Sequence, residues 1–315
     1  MNVIFISYIN RSGSTFLLQQ LSKSDNILSC PEADCLANIF LTNPYNLIQK
    51  TNFHKILNSL YSDFKFKNWS IPIESISKIN CNRSGLQIFL EILLIYKELT
   101  KPSATVIVYK AERLFQLIPF FNDTIIYKYN LKFITLIRDI RAVYYSQKNT
   151  TIPESGKIMS SVPVDLAFRW NSFIYEMTSI KKEFHLIISY ENLIRECSET
   201  LNKIDFWLNS HKNLSFQNNG DLFERLPRIH KNIHKDIVDV PLIKKISSWK
   251  DNLTNKEIAI IEIISRKHLR NLNYELVTPR VFLPYIYLHI FLRRNITILK
   301  KTAKIIFFKL HMILE

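Results

Sequence analysis

The residues best suited to chemistry stand near the amino terminus, in the run Arg11-Ser12-Gly13-Ser14-Thr15-Phe16. Gly13 permits a tight turn, and Ser14 or Thr15 can cap a following helix. Arg11 supplies a permanent charge whose planar fork suits phosphate or sulfate oxygens. A turn of this kind binds anions when a strand feeds it and a helix leaves it. Free backbone N–H groups and the positive end of the helix dipole then point at one spot. The flanks fit. Asn2 to Tyr8 (NVIFISY) reads as a buried parallel strand, and Phe16, Leu17, Leu18 and Leu21 fall at helical spacing. The Walker string G-x-x-x-x-G-K-[ST] does not occur, so this phosphate loop is of another kind.

Positioning such a loop takes a sheet, and the chain supplies more strands. Ala104 to Tyr109 ends at Lys110, Leu131 to Ile137 ends at Arg138-Asp139, and Phe184 to Ser189 ends at Tyr190. Helical stretches at 112–121, 139–148 and 164–182 alternate with them, which predicts a doubly wound parallel α/β sheet. In such sheets ligands sit at the carboxyl ends of the strands. Arg11, Lys110, Arg138 and Tyr190 are therefore expected on one edge. A short apolar stretch, Asn26 to Ser29, leads into Cys30-Pro31-Glu32-Ala33-Asp34, which returns Glu32 to that edge. Residues 36–100 are helical in outline (36–41, 47–61 and 86–99), with a less periodic loop at 65–83. This insert is either a lid or acceptor-binding element, or structural packing. Beyond the last strand come a helix at 196–208, a polar loop at 209–220, an irregular stretch at 221–253 and an amphipathic helix at 255–272 with Thr254 as its N-cap.

Composition narrows the class without choosing a partner. The 315 residues are 47% hydrophobic and 22% charged, an ordinary globular balance. The formal net charge of +15 predicts attraction to an anion: a nucleotide, a polyanionic acceptor, nucleic acid or a membrane surface. Four cysteines have neither disulfide-framework density nor C-x-x-C spacing, which indicates a reducing compartment. With no basic n-region before the first strand, the expected location is the cytoplasm. His230 and His234 have helical metal-ligand spacing but lack suitably spaced Cys or carboxylate partners, so a surface pair is expected and no metal.

Taken together, these segments resemble the sulfotransferase family, particularly the carbohydrate and protein-tyrosine sulfotransferases. RSGSTFLLQQL (Arg11 to Leu21) is similar to the family's 5′-phosphosulfate loop, and LIRDIRAVYYS (Leu136 to Ser146) to its 3′-phosphate motif. ISYENL (Ile188 to Leu193) resembles its Tyr-Glu-x-Leu strand end. Ser247-Ser248-Trp249-Lys250, followed by a helix and Asn273-Tyr274, resembles its carboxyl-terminal Trp block. Order and approximate spacing hold over residues 3–276. The resemblance implies a P-loop-like parallel β-sheet flanked by helices over residues 1–280, with a helical tail at 281–315. It also implies the donor 3′-phosphoadenosine 5′-phosphosulfate. Arg11, Ser12, Gly13, Ser14, Thr15 and Phe16 would hold the 5′-phosphosulfate, and Arg138 and Ser146 the 3′-phosphate. Physical chemistry agrees, since two dianionic groups on one nucleotide need two cationic sites.

Sulfuryl transfer needs a nucleophile, a base to take its proton, and cations where charge gathers. Glu32 is the candidate base. It stands where the tyrosine sulfotransferases carry a catalytic Glu, their Gly-Glu-Glu appearing here as Cys30-Pro31-Glu32. Lys110 is placed by the resemblance beside the reaction centre, and Ser247 as a donor to the sulfuryl group. Asp139 is expected to cap its helix. Arg141 faces the 3′-phosphate or solvent, and Trp170 belongs to the core rather than to adenine stacking.

The tail is apolar from Val281 to Leu292, after which Arg293, Thr297, Lys300 and Lys304 share one helical face and Ile296, Leu299, Ala303, Ile306, Leu310 and Ile313 the other. Such a helix can lie in a membrane interface, or pack on the domain or on a second subunit. The expected activity is sulfation of a hydroxyl, or secondarily an amine, on a glycan, glycolipid or similar acceptor, with no specific nucleic acid. An atypical kinase and a non-catalytic polyanion- or membrane-binding protein are the alternatives, the first weakened by the missing Walker lysine.

Overall fold

The computed structural model describes residues 2–295 other than 43–44, 80–81, 113, 115–120, 122, 154, 179, 209–213, 217–219, 227–230, 232–242 and 278–283. The expected helix at 112–121, the His230 and His234 pair and the tail beyond 295 lie largely or wholly outside the described residues.

In chain order the elements are β1 (Asn2–Tyr8), α1 (Ser14–Leu21), β2 (Ile27–Ser29), α2 (Asp34–Thr42), α3 (Lys50–Ser62), α4 (Phe64–Lys67), α5 (Ile73–Ser77) and α6 (Gly85–Thr100). They continue with β3 (Val106–Lys110), α7 (Asp123–Tyr129), β4 (Leu131–Ile137), α8 (Ile140–Lys148), α9 (Pro163–Met177), β5 (His185–Ser189), α10 (Tyr190–Arg195) and α11 (Cys197–Leu208). Helices Lys244–Ser247, Trp249–Asn252 and Asn255–Asn271 follow, then a helix over 284–295.

The chain divides into two compact units: residues 1–138 with 176–243, and residues 139–175 with 244–315. The first holds a five-stranded sheet of order β2-β3-β1-β4-β5, parallel throughout. Strands buried on both faces need near-continuous apolar sequence, and β1 and β3 have it. Phe5 of β1 sits among the rings of Phe89, Tyr109 and Phe133, with centroids 5.8, 6.4 and 5.8 Å away. β1 is central, and the chain leaves it toward β2 and β3 on one side and returns to β4 and β5 on the other. That is the topological switch at which open α/β sheets place their ligands.

The stretch at 65–83, expected as loop, contains the short helices α4 and α5. Asp63 caps α4 by accepting from the Phe66 N–H at 2.8 Å, and the buried Phe66 ring anchors it. A four-residue helix is too short for apolar periodicity to reveal. The stretch at 164–182 is helical only from Pro163 to Met177.

In the second unit, Asn255–Asn271 begins with a capping box in which Thr254 and Glu257 each bond the other's backbone N–H. Ile286 of the tail is buried against Val164 and Ile260, so the first turns of helix 284–295 pack within this unit. Trp170 is core, edge-on to His268 at 6.3 Å.

Candidate active site

All five strand ends of the first unit deliver a side chain or a loop to one edge. The turn after β1 is built by two left-handed residues, Arg11 (φ 74°) and Gly13 (φ 87°), on either side of Ser12. An L side chain pays to adopt that conformation, and Arg11 does so here, as residues at functional turns often do. Gly13 is required twice over. Besides its positive φ, a Cβ built on it would lie 2.4 Å from Tyr190 Cδ2. Gly13 is also the N-cap of α1, with no side-chain cap, and its carbonyl accepts the Leu17 N–H at 3.0 Å. Ser14 and Thr15 thus do not cap the helix as expected; they form its first turn, where backbone N–H groups have no carbonyl within the helix.

Their hydroxyls have another role. Lys110, the last residue of β3, donates to Thr15 Oγ1 at 2.9 Å and to Ser14 Oγ at 3.3 Å. The same ammonium lies 3.1 Å from Glu32 Oε2 and 5.0 Å from the centre of the Tyr8 ring. Glu32 Oε2 also accepts the Tyr8 hydroxyl at 2.7 Å, and Oε1 accepts Lys65 of α4 at 2.9 Å. Lys65 reaches Asp34 Oδ2 as well, at 3.2 Å. The side chains of Lys110, Lys65 and Glu32 are 5%, 17% and 22% exposed, so the cluster is largely withdrawn from water.

Burial alone would push Glu32 upward, but the Lys110 and Lys65 ammoniums and the Tyr8 bond outweigh it and hold this carboxyl well below its usual range. Burial and the Glu32 charge raise Asp34, against the pull of Lys65. Burial also lowers Lys110, against Glu32, and lifts the Tyr8 phenol well above its ordinary value, so Tyr8 stays a donor. Cys30, two residues before Glu32, is pushed up to about 12 by burial and is an inert thiol.

Arg138, just past β4, donates from Nη1 to the Arg11 carbonyl at 2.7 Å and lies 4.2 Å over the Tyr190 ring. The structure therefore joins Arg11, Gly13, Arg138 and Tyr190 in one contact. Arg11 and Arg138 lie on one edge, as expected, and one Arg138 nitrogen braces the loop's backbone.

In the second unit Asp139 caps α8, as expected, accepting the Arg141 N–H at 2.9 Å. Arg141 faces neither a phosphate site nor solvent. It is buried, doubly bonded to Asp139 (Nη2–Oδ2 2.8 Å, Nε–Oδ1 3.0 Å), paired with Glu262, and 4.0 Å from the centre of the Trp249 ring. Ser146 lies on α8, its carbonyl accepting the Thr150 hydroxyl at 2.7 Å, and Ser247 is exposed at the end of helix Lys244–Ser247. Both belong to the second unit. Lys65 and Tyr8 were missed in the sequence. Tyr8 sits in an apolar strand run and Lys65 in a stretch without periodicity, so neither carried a signal. Among the described residues no group of His, Cys, Asp and Glu side chains can hold a metal.

No protein-family model matches the chain, and no curated protein sequence does. Solved structures do. A sulfotransferase domain from the curacin biosynthetic pathway is 17% identical, covering 87% of this chain and 98% of its own, with a TM-score of 0.52. A sulfotransferase domain from the olefin synthase of Synechococcus PCC 7002 is 14% identical, covering 88% and 96%, with a TM-score of 0.53. The chain has the sulfotransferase fold, a parallel five-stranded sheet flanked by helices.

Proposed function

We propose that the protein is a sulfotransferase that moves a sulfuryl group from 3′-phosphoadenosine 5′-phosphosulfate to a hydroxyl of a glycan, glycolipid or similar acceptor. The observation that carries this is Lys110, which touches both loop hydroxyls, Ser14 and Thr15, and the Glu32 carboxylate. An anion cradle and a base are thereby set around one cation, as in-line transfer requires.

In this proposal residues Arg11 to Phe16 hold the 5′-phosphosulfate, and Arg138 with Ser146 the 3′-phosphate. Glu32 takes the proton of the acceptor hydroxyl while the acceptor oxygen bonds to sulfur. The bond from sulfur to the phosphate oxygen breaks, and its electron pair leaves on the phosphate. The products are a sulfate ester and adenosine 3′,5′-bisphosphate. Lys110 and the first-turn N–H groups of α1 meet the charge that gathers on the leaving oxygen, and Ser247 donates to the sulfuryl group. No metal enters these steps.

The protein works, on this proposal, in the cytoplasm and peripherally on a membrane. No helix among the described residues is long and apolar enough to cross one. Helix 284–295 nevertheless leaves Tyr285, Tyr287, Leu288, Phe291 and Leu292 exposed beside Arg294, a composition suited to an interface.

The test is incubation with labelled donor and a panel of hydroxyl acceptors, comparing the wild type with Glu32→Ala and Arg11→Ala. Both variants are expected to lose transfer; label transfer that survives both overturns the assignment. Calorimetry with adenosine 3′,5′-bisphosphate checks the donor. A folded protein that does not bind it at low salt is not this enzyme. Co-sedimentation with anionic vesicles, compared with a Phe291→Ser/Leu292→Ser variant, checks the membrane arm.

A further inference from the structure

We infer that Lys65, carried by the helical insert between β2 and β3, is a positioning residue that holds Glu32 through Oε1 and shares its ammonium with Asp34 as a second seat. The inference rests on Glu32 being the base.

The two oxygens of Glu32 are held differently. Oε2 is fixed from the sheet by the Tyr8 hydroxyl of β1 and the Lys110 ammonium of β3, both deeply buried. Oε1 is held by Lys65 alone among the described residues, from α4. With Oε2 already taken by two donors, an acceptor hydroxyl that gives its proton to Glu32 finds its place at Oε1, and the group it must replace there is Lys65.

Lys65 has somewhere to go. Asp34 Oδ2 is already 3.2 Å from its ammonium, and Asp34 Oδ1 is buried with no hydrogen-bond partner among the described residues. The short α4 fixes the lysine's backbone through the Asp63 cap and the Phe66 anchor, leaving the side chain to swing between two carboxylates. A lysine in that position fixes Glu32 in its ionised form and in one orientation before the acceptor arrives, then withdraws without leaving a bare ammonium in a dry site.

The charged and titratable groups facing Glu32 are Tyr8 from β1, Lys110 from β3, Lys65 from α4 and Asp34 from α2. Of the two cations on Glu32, Lys65 is the one that can be removed without touching the loop after β1. In protein labelled with carboxyl-carbon-13 glutamate, the Glu32 resonance is assigned by its loss in Glu32→Gln and followed against pH. In the wild type it is expected to stay ionised through the acid range in which the fold persists. In Lys65→Met its midpoint is expected to rise by about one pH unit or more, as loss of an adjacent opposite charge requires. Lys65→Arg restores the wild-type behaviour. Affinity for adenosine 3′,5′-bisphosphate, measured by calorimetry, stays within about twofold throughout, as a role confined to the carboxylate requires. An unshifted Glu32 midpoint in folded Lys65→Met overturns the inference.

Should Lys65→Met fail to fold, Asp34→Asn decides. It removes the second seat, so the KM for the panel acceptor that turns over fastest is expected to rise while bisphosphate affinity holds. An unchanged KM overturns the two-seat assignment. Full turnover by Glu32→Gln would instead remove Glu32 as the base, a failure distinct from a Glu32 resonance that ignores Lys65.

Discussion

Two clusters of withdrawn charge, one in each unit, show how similar parts serve different ends. Arg141, Asp139, Glu262 and Trp249 form a closed set. The Arg141 and Glu262 side chains are each 2% exposed, and the guanidinium is bonded to carboxylates along its edge and covered by an indole on its face. Glu262 Oε1 also accepts the Val277 N–H at 2.9 Å, which ties the segment following the long helix back to it. Glu32, Lys65, Lys110, Asp34 and Tyr8 form a less enclosed set, with a glutamate side chain 22% exposed, a lysine shared with the turn after β1, and groups pulled in opposite directions by burial and charge. Saturated, rigid ion pairs organise a fold; strained, partly exposed ones beside an anion cradle can do chemistry.

That contrast is open to attack. Replacing Glu32 with Gln is expected to lower turnover by about 10²–10⁴-fold, the usual loss when a general base is removed. The accompanying fall in unfolding midpoint should be smaller than that of any change at Arg141, and chemical denaturation beside the transfer assay reads both. Arg141→Met leaves Asp139 and Glu262 buried without their cation and should cost about 3–5 kcal/mol of stability. An Arg141→Met protein with native stability would erase the distinction between the two clusters. Gly13→Ala places a methyl in the Tyr190 ring and holds it at positive φ. Destabilisation of about 1–3 kcal/mol is expected from the backbone conformation alone, with weaker binding of adenosine 3′,5′-bisphosphate by calorimetry.

The smallest effect is a matter of pH. Burial lowers His185 from 6.5 to about 4, and its ring bonds Thr135 at 2.7 Å. Between those values the unfolded chain binds a proton that the folded one refuses, so the stability from His185 is complete above about pH 6.5 and drains as pH falls toward 4. Glu32, depressed from 4.5, withdraws its own contribution only below that pH, as the pH falls through its lower folded value. Urea midpoints recorded from pH 7 to 5.5, above the range in which Glu32 contributes, should slope gently in the wild type and flatten in His185→Gln.

Much of the first unit was legible because its strands are continuous apolar runs and each ends on a residue of another kind. β1 and β4 fall where the sequence places them, and Arg11, Lys110, Arg138 and Tyr190 share an edge because parallel strands leave no other option. Asp139 and Thr254 were readable as caps because a single side chain and its neighbours decide a cap. What escaped was set by distant packing. Nothing local to Lys65 announces a carboxylate 33 positions earlier, and nothing beside Arg141 announces Glu262, 121 positions on. Ser14 and Thr15 were misplaced as caps because a left-handed Gly13 took that position and freed their hydroxyls for Lys110.

The wedge of Tyr190 between Gly13 and Arg138 also bears on when the molecule becomes competent. The turn after β1 is synthesised well before its prop, which lies some 177 positions downstream of Gly13. A nascent chain therefore carries the turn through those 177 positions without the ring that braces it. Contacts of such long separation form late and slowly. Ligand capture should accordingly switch on only once the fifth strand has been made and docked, and no amino-terminal fragment ending before it should hold a nucleotide.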